Sequence, residues 1–399
     1  MSKKNPFLNL LLGFLIFSAC ENNKKATTEN IASNEINISL NPEDKTPKYA
    51  KDIFKNVEFV PLQTLDECRI GKIDKMLTTE NYYAILDRSS NAIYFFLKNG
   101  IYHHKIVSTP TQKMRIGNFD IQGDRVYLFD YDNRNESLQV FDLNGKRTGE
   151  EHYPQHFVYF KKTKGLTLFY NGFYHDNNSG EKFKRLSIYD KQGQPIKSIF
   201  SYDPQAIGER DLFDPMESFF SSGDNLFYAM PGISSFYEID DKLTFTAYHI
   251  NMPKTYQLPD DFLEDKSLLD KRRVFLTQKN KELIWNISNV YGIDNHFLSI
   301  NIQSMDNLYF TSLCNLKTKK AINLRSIYYD RTTCKLPITE FQIIASDGTS
   351  FYGTYSAKFL LDILMKLGYD NIADNENLKD FVNHSNALSN PILTKFQMK

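Results

Sequence analysis

The chain has no net charge to speak of: across 399 residues, 48 lysines and arginines face 48 aspartates and glutamates. Without an excess of one sign there is no field to attract nucleic acid or another polyanion, so that class of partner is set aside first. Cysteine is scarce, with four in the chain and no pair spaced as CxxC, which excludes a zinc knot or a dense disulfide framework. Long apolar runs are missing outside the first twenty residues, and the run found there is too short and wrongly flanked for a resident membrane helix. Tryptophan occurs once, yet 31 phenylalanines and 24 tyrosines raise the aromatic share to 14%. Such a load favours strands, because planar side chains suit a pleated, half-buried surface, and it argues against disorder.

The motifs of several chemistries are also missing. There is no GxxxxGK, and no GxGxxG between a strand and a helix, so nucleotide use is not expected. GxSxG and HExxH are absent, removing the common signatures of a serine nucleophile and a zinc hydrolase. His103 and His104 are adjacent, which on a strand points them to opposite faces. The other six histidines, His152, His156, His175, His249, His296 and His384, share no motif. Asp130 to Glu136 and His175 to Glu181 offer oxygen ligands of the kind calcium takes. In the first, Arg134 and Asn135 stand where an EF-hand needs a ligand and its turn glycine, and both segments have the composition of ordinary turns. No catalytic residue, cofactor or metal ligand is expected.

What the chain does contain is a repeat. Asn81-Tyr-Tyr-Ala-Ile-Leu-Asp87 aligns with Asp124-Arg-Val-Tyr-Leu-Phe-Asp130, each an alternating strand ending in an aspartate that reads as a turn cap. Ala92 to Leu97 before Asn99-Gly100, Ser137 to Asp142 before Asn144-Gly145, and Arg185 to Asp190 before Gln192-Gly193 form a second series of strands with hairpin turns. The spacing is close to that of a four-stranded propeller blade. A third series of turns falls at Glu80-Asn81, Gly123-Asp124, Lys164-Gly165, Gly223-Asp224, Asp294-Asn295 and Asp347-Gly348, which makes six repeats. Between the fourth and fifth, the charged segment 259–282 reads as a helical insertion, and Ala357 to Leu367 has helical spacing with Gly368 as its C-cap. The last repeat is short of strands, and either Glu35 to Leu40 or Val57 to Leu62 can complete it, since closing a ring removes exposed sheet edges. The expected fold is all-β: a six-bladed β-propeller closed by N-terminal strands, with short helical insertions at about 259–282 and 357–367. A seven-bladed ring and an open solenoid are the alternatives.

At the N-terminus, Lys3 and Lys4 precede the apolar run Phe7 to Phe17, and Ser18-Ala19-Cys20 follows, the layout of a secretory signal. The ending resembles a bacterial lipobox, although Phe17 stands where a smaller aliphatic residue is usual. The resemblance implies lipidation of Cys20 and a membrane contact through its acyl chains, which together hold far more firmly than one chain. Residues 1–19 are then the signal peptide, 20–34 the lipidated cysteine and flexible tether, 35–372 the propeller and 373–399 a C-terminal tail. Cys68, Cys314 and Cys334 remain, and Cys314 and Cys334 are read as separate thiols or as a bridge.

Val57-Glu-Phe-Val-Pro-Leu62 followed by Asp66-Glu-Cys-Arg-Ile-Gly71, the strand ending at Asp87, the segment Ser234 to Ile239, and the terminal hairpin with its helix resemble six-bladed β-propeller lipoproteins of Bacteroides-type bacteria. That resemblance implies an envelope lipoprotein and carries no catalytic residues. The expected function is a non-enzymatic binding or scaffolding module in the cell envelope, on the outer membrane facing the periplasm, with a protein, peptide or carbohydrate ligand at one face of the disc. The alternative is a lactonase- or glycosidase-like hydrolase or lyase with acids lining the central channel, which three or more convergent acidic, Asn or His side chains would support and a plug of Phe, Leu and Tyr would exclude.

Overall fold

The computed structural model describes residues 31–399 except 109–112, 133–136, 155, 174–182, 214, 216 and 307–308. The alternating runs pair with their neighbours into small antiparallel sheets, and the molecule is mostly β. Six four-stranded units follow from the pairing. The first comprises Lys75–Thr78, Tyr82–Asp87, Ala92–Leu97 and Tyr102–Val107. The second runs from Ile116–Gln122 to Arg147–His152, the third from Tyr159–Thr163 to Pro195–Ser201, and the fourth from Phe219–Ser222 to Phe245–Asn251. Asn286–Ile293, Phe297–Gln303, Tyr309–Asn315 and Lys320–Asn323 make the fifth.

The second and third strands of a unit are buried on both faces, as in Tyr82–Asp87 and Ala92–Leu97, and therefore read as continuous apolar runs. The fourth strand is exposed in the second unit, at Arg147–His152, and largely buried in the fourth, at Phe245–Asn251. Apolar clusters fill the space between successive units. Ile93 and Phe95 meet Phe119 and Leu128, Phe129 meets Phe157 and Phe169, and Tyr170 meets Tyr228. A further cluster joins Tyr83 and Phe96 of the first unit to Tyr352 and Leu393, near the C-terminus.

The sixth unit is assembled from both ends of the chain. Its order is Ala345–Ser346, Phe351–Tyr355, Ile392–Met398 and Phe54–Pro61. This corrects the expectation of a C-terminal tail over 373–399: that segment holds a helix, Glu376–His384, and a strand inserted between two partners. A lone strand has no local partner, so its pairing was invisible until segments more than 300 residues apart were brought together. Of the two N-terminal candidates, the segment overlapping Val57 to Leu62 takes the completing role. Ala32–Ser39 instead lies parallel to the outer strand of the fourth unit and touches the fifth at Ser39 and Lys320.

The fifth unit is set apart at its inner edge. Ser222 of the fourth unit pairs with Ser346 of the sixth, and Ser222 Oγ accepts from Gly292 N at 2.8 Å while Ser346 Oγ donates to Gly292 O at 2.8 Å. The turns at Gly223 and Gly348, both at positive φ, meet so closely that a Cβ on Gly348 would lie 3.1 Å from Gly223 Cα.

Segment 259–282 is not one helix. It carries a short turn at Lys266–Leu268, a helical turn at Arg272–Val274 and a π-turn at Phe275–Lys279. Its organiser is Arg272, fully buried, which pairs with Asp211 Oδ2 at 2.6 Å and donates to the carbonyls of Ala206, Phe262, Leu263 and Asp265. A guanidinium with its donors spent can be buried; one lacking partners could not. The helix Ala357–Leu367 forms as its spacing predicts, capped by Ser356 Oγ accepting from Phe359 N at 3.2 Å and ended by Gly368. It packs with Glu376–His384 on the sixth unit through Leu360, Leu364, Leu378 and Phe381 against Phe59 and Tyr355.

Candidate functional site

The first strands of the first to fourth units and the hairpins after them carry much of the candidate site. Period-two alternation puts Asn118, Asp120 and Gln122 on one face of the second unit's first strand, and Lys161 and Thr163 on one face of the third's. At the end where these strands begin, Lys75, Asn118 and Glu217 close on one another. Lys75 Nζ reaches Glu217 Oε2 at 2.5 Å and Asn118 Oδ1 at 2.9 Å, and Asn118 Nδ2 donates to the same glutamate oxygen at 3.0 Å. The other oxygen, Oε1, accepts from Ser218 N and Phe219 N. The two charged side chains are 11% and 13% exposed. Burial works to raise the Glu217 carboxyl, and the Lys75 charge with these hydrogen bonds outweighs it, leaving the group below its ordinary range. One step further along, Asp120 accepts from Lys161 Nζ at 2.6 Å and from Lys162 N at 2.7 Å.

At the other end the strands turn, and the turns surround a cavity of about 860 Å³. Its lining includes the first hairpins of the first, second, third, fourth and sixth units, with Thr79 and Glu80, Gln122 and Gly123, Thr163 and Lys164, Gly223 and Asp224, and Asp347 and Thr349. Residues of the fifth unit do not line it, as the joining of Ser222 to Ser346 requires. On one wall, Lys98 Nζ donates to Thr78 Oγ1 and lies 4.5 Å from the centre of the Tyr83 ring. Tyr352 OH donates to Asp347 Oδ2 at 2.6 Å, and Asp347 Oδ1 accepts from Thr349 N, Thr349 Oγ1 and Ser350 N. Burial pushes the Lys98 amine down to about 8, with Asp347 opposing and Lys395 adding to the shift.

Tyr83 and Tyr352 are the aromatic side chains among the residues that line the cavity. Three polar side chains, Asn118, Asp120 and Glu217, do converge, but their charges and hydrogen bonds are already satisfied by Lys75, Lys161 and the backbone. These residues gave no signal in the sequence, because Asn118 and Asp120 sit in an ordinary alternating strand, Glu217 just ahead of another, and only the array brings them together with Lys75 and Lys161. The aspartates of the repeat are turn caps as expected. Asp87 accepts from Gly71 N, Ser89 N and Ser89 Oγ, and Asp130 from Arg115 N and Asp132 N.

His103 and His104 are in contact, Nδ1 to Nδ1 at 2.7 Å, contrary to the expectation of opposite faces. A register shift opposite Phe95 and Phe96 breaks the alternation there, and His104 stacks on Phe95 at 4.3 Å. Burial pushes His104 down to about 4, and the neighbouring His103 adds to this. Cys68, Cys314 and Cys334 are free thiols, with Cys314 and Cys334 in different apolar clusters. Among the described residues no group of histidine, cysteine or carboxylate side chains is disposed to hold a metal, and no helix is long and apolar enough to cross a membrane. Cys20, segment 175–181 and much of 130–136 lie outside the described residues.

A crystal structure of a predicted exported protein from Bacteroides fragilis is similar over 91% of this chain and 99% of its own, with a TM-score of 0.69 at 17% identity, which shows a shared fold. A DUF4221-family protein from Bacteroides vulgatus matches 87% of this chain and 97% of its own at a TM-score of 0.49 and 11% identity. Virginiamycin B lyase from Staphylococcus aureus matches 68% and 73% at 0.35 and 11%. Likenesses that distant carry nothing about activity. No protein of curated function matches the sequence. Residues 33–397 match the model of a domain of unknown function, DUF4934, and the chain belongs to that family.

Proposed function

We propose that this protein is an exported, lipid-anchored binding module of the cell envelope, whose six units form a closed β-propeller and whose cavity, ringed by hairpins, takes the ligand. Six successive four-stranded units, apolar clusters between neighbours, and a last unit completed by Phe54–Pro61 support the ring. The single observation that carries the binding role is the cavity, roomy enough for a drug-sized molecule and lined by polar side chains from five units. The reading as a hydrolase or lyase has less behind it. Channel acids that serve as acid and base must face a common substrate position, whereas Glu217 and Asp120 are each held by a lysine.

The signal-like start and Cys20 support the anchor. Cys20→Ser is expected to release the chain from the membrane fraction; a variant that fractionates as before removes the lipid from this reading. For the cavity, a defined panel of oligosaccharides, peptidoglycan fragments and peptides is screened by thermal shift against the full chain and Asp224→Trp, which places an indole at the cavity wall. Compounds that raise the melting temperature by about 2 °C or more are expected, and the tryptophan should cancel that rise. A silent panel, or shifts indifferent to the tryptophan, would count against the proposal.

A further inference from the structure

We infer that the ligand of this cavity is acidic, a small molecule whose carboxylate or phosphate sits between the amines of Lys98 and Lys395. The inference rests on the cavity being the binding site and deepens that reading by naming the chemistry. Both lysines line the cavity, Lys98 just beyond the third strand of the first unit and Lys395 on the C-terminal strand of the sixth. They come from opposite ends of the chain and meet because the sixth unit closes against the first.

The other cavity lysines are committed elsewhere: Lys161 to Asp120, Lys162 to Glu151, and Lys164 to Asp241. Among the described residues, Lys98 and Lys395 have no carboxylate within ion-pair distance. The acid whose field acts on Lys98 is Asp347, and its two oxygens accept from Tyr352, Thr349 and Ser350. Glu58, paired in register with Lys395 on the neighbouring strand, is exposed.

Two like charges gathered in a partly desolvated recess repel one another and have lost water, and a bound anion repays both costs at once. Burial depresses the Lys98 amine, and the field of Asp347 offsets it only in part. Tyr83 and Tyr352, both buried beside it, supply an apolar floor and exclude water from the contact.

The arrangement couples anion binding to protonation. The groups that face Lys98 are Asp347, Lys395, Glu58, Tyr83 and Tyr352. Asp347 is held below its ordinary range: burial raises it, and the hydrogen bonds from Tyr352 and Thr349 outweigh burial. Both tyrosines are shifted upward by burial, so of these groups the Lys98 amine is the one whose shift brings its titration close to neutral pH. Above about 8 the amine is neutral and half of the anion's seat is gone.

The test is isothermal titration of the full chain with glucuronate, glucose 6-phosphate and glucose at fixed ionic strength. The two acids separate carboxylate from phosphate, and glucose reports the neutral ring. At least one acid should bind and glucose should not. Lys98→Met and Lys395→Met are each expected to weaken the acid about tenfold or more. Affinity should fall as pH rises from 7 to 9, and Lys98→Arg, which keeps its charge, should retain binding at pH 9. If neither acid binds, if glucose binds as well as the acids, or if Lys98→Met binds like the unaltered chain, the inference is overturned. Asp224→Trp separates the two readings: acid binding that survives the tryptophan lies outside the cavity and removes the underlying reading too.

Discussion

The two ends of the innermost strands are lined by charged side chains that are treated in opposite ways. Where the strands begin, Lys75, Asn118 and Glu217 satisfy one another across three units. Where they turn, Lys98 leans on a hydroxyl and an aromatic face, with no carboxylate taking its charge. The first arrangement pairs its charges within the protein, and in the second the Lys98 amine forms no ion pair. A polar residue on an inner strand is therefore no guide to function until its partners are known: satisfied groups hold the units together, and unsatisfied ones wait for something else.

The contrast breaks most visibly under substitution. Lys75→Met strands a carboxylate in a nearly closed space and should lower unfolding stability by about 3 kcal/mol or more in urea titrations. Replacing both partners, as Lys75→Met with Glu217→Leu, should recover a large part of that loss. A double variant no more stable than the single would mean that the pair does not act as a unit. Lys98→Met should behave in the opposite manner: stability at pH 7 unchanged or raised, because a poorly compensated charge is removed.

Acid and alkali sharpen the comparison with smaller effects. Glu217 is below its ordinary range when folded, so its contribution is full above its unfolded value and is lost as pH falls through the folded one. Glu217→Gln should flatten the acid limb of stability against pH. Lys98 is also depressed when folded, to about 8, because burial disfavours its charged form; the slope with pH has the same sign as for Glu217, but its window lies in alkali. Between that value and its ordinary one the unfolded chain binds the extra proton, so stability rises with pH there. Denaturant midpoints of the unaltered chain should climb across this window, and those of Lys98→Met should climb less. The smallest effect belongs to the exposed pair of Lys164 and Asp241 at 3.5 Å, where Lys164→Ala should cost less than about 0.5 kcal/mol.

Much of the fold was legible in the chain. The six turns that read as repeats are the six hairpins joining the first and second strands of each unit, because glycine, asparagine and aspartate accept the backbone a tight turn requires. The aspartates ending the second strands cap loops as their repetition implied. Segment 259–282 was legible as an insertion but not as broken turns, since its form depends on Arg272 reaching Asp211 sixty-one positions away. The histidine pair misled because a bulge interrupts the alternation on which its expectation was built.

The sequence by itself determined the strands, their turns and the number of repeats, since these rest on alternation and turn chemistry within a few residues. The tertiary structure alone decided which strand completes the last unit, that 392–398 is a strand and not a tail, and which charges are paired. Those outcomes depend on contacts between residues far apart along the chain. Lys98 and Lys395 become neighbours only once Ile392–Met398 has entered the sheet between Phe351–Tyr355 and Phe54–Pro61, and no local pattern records that meeting.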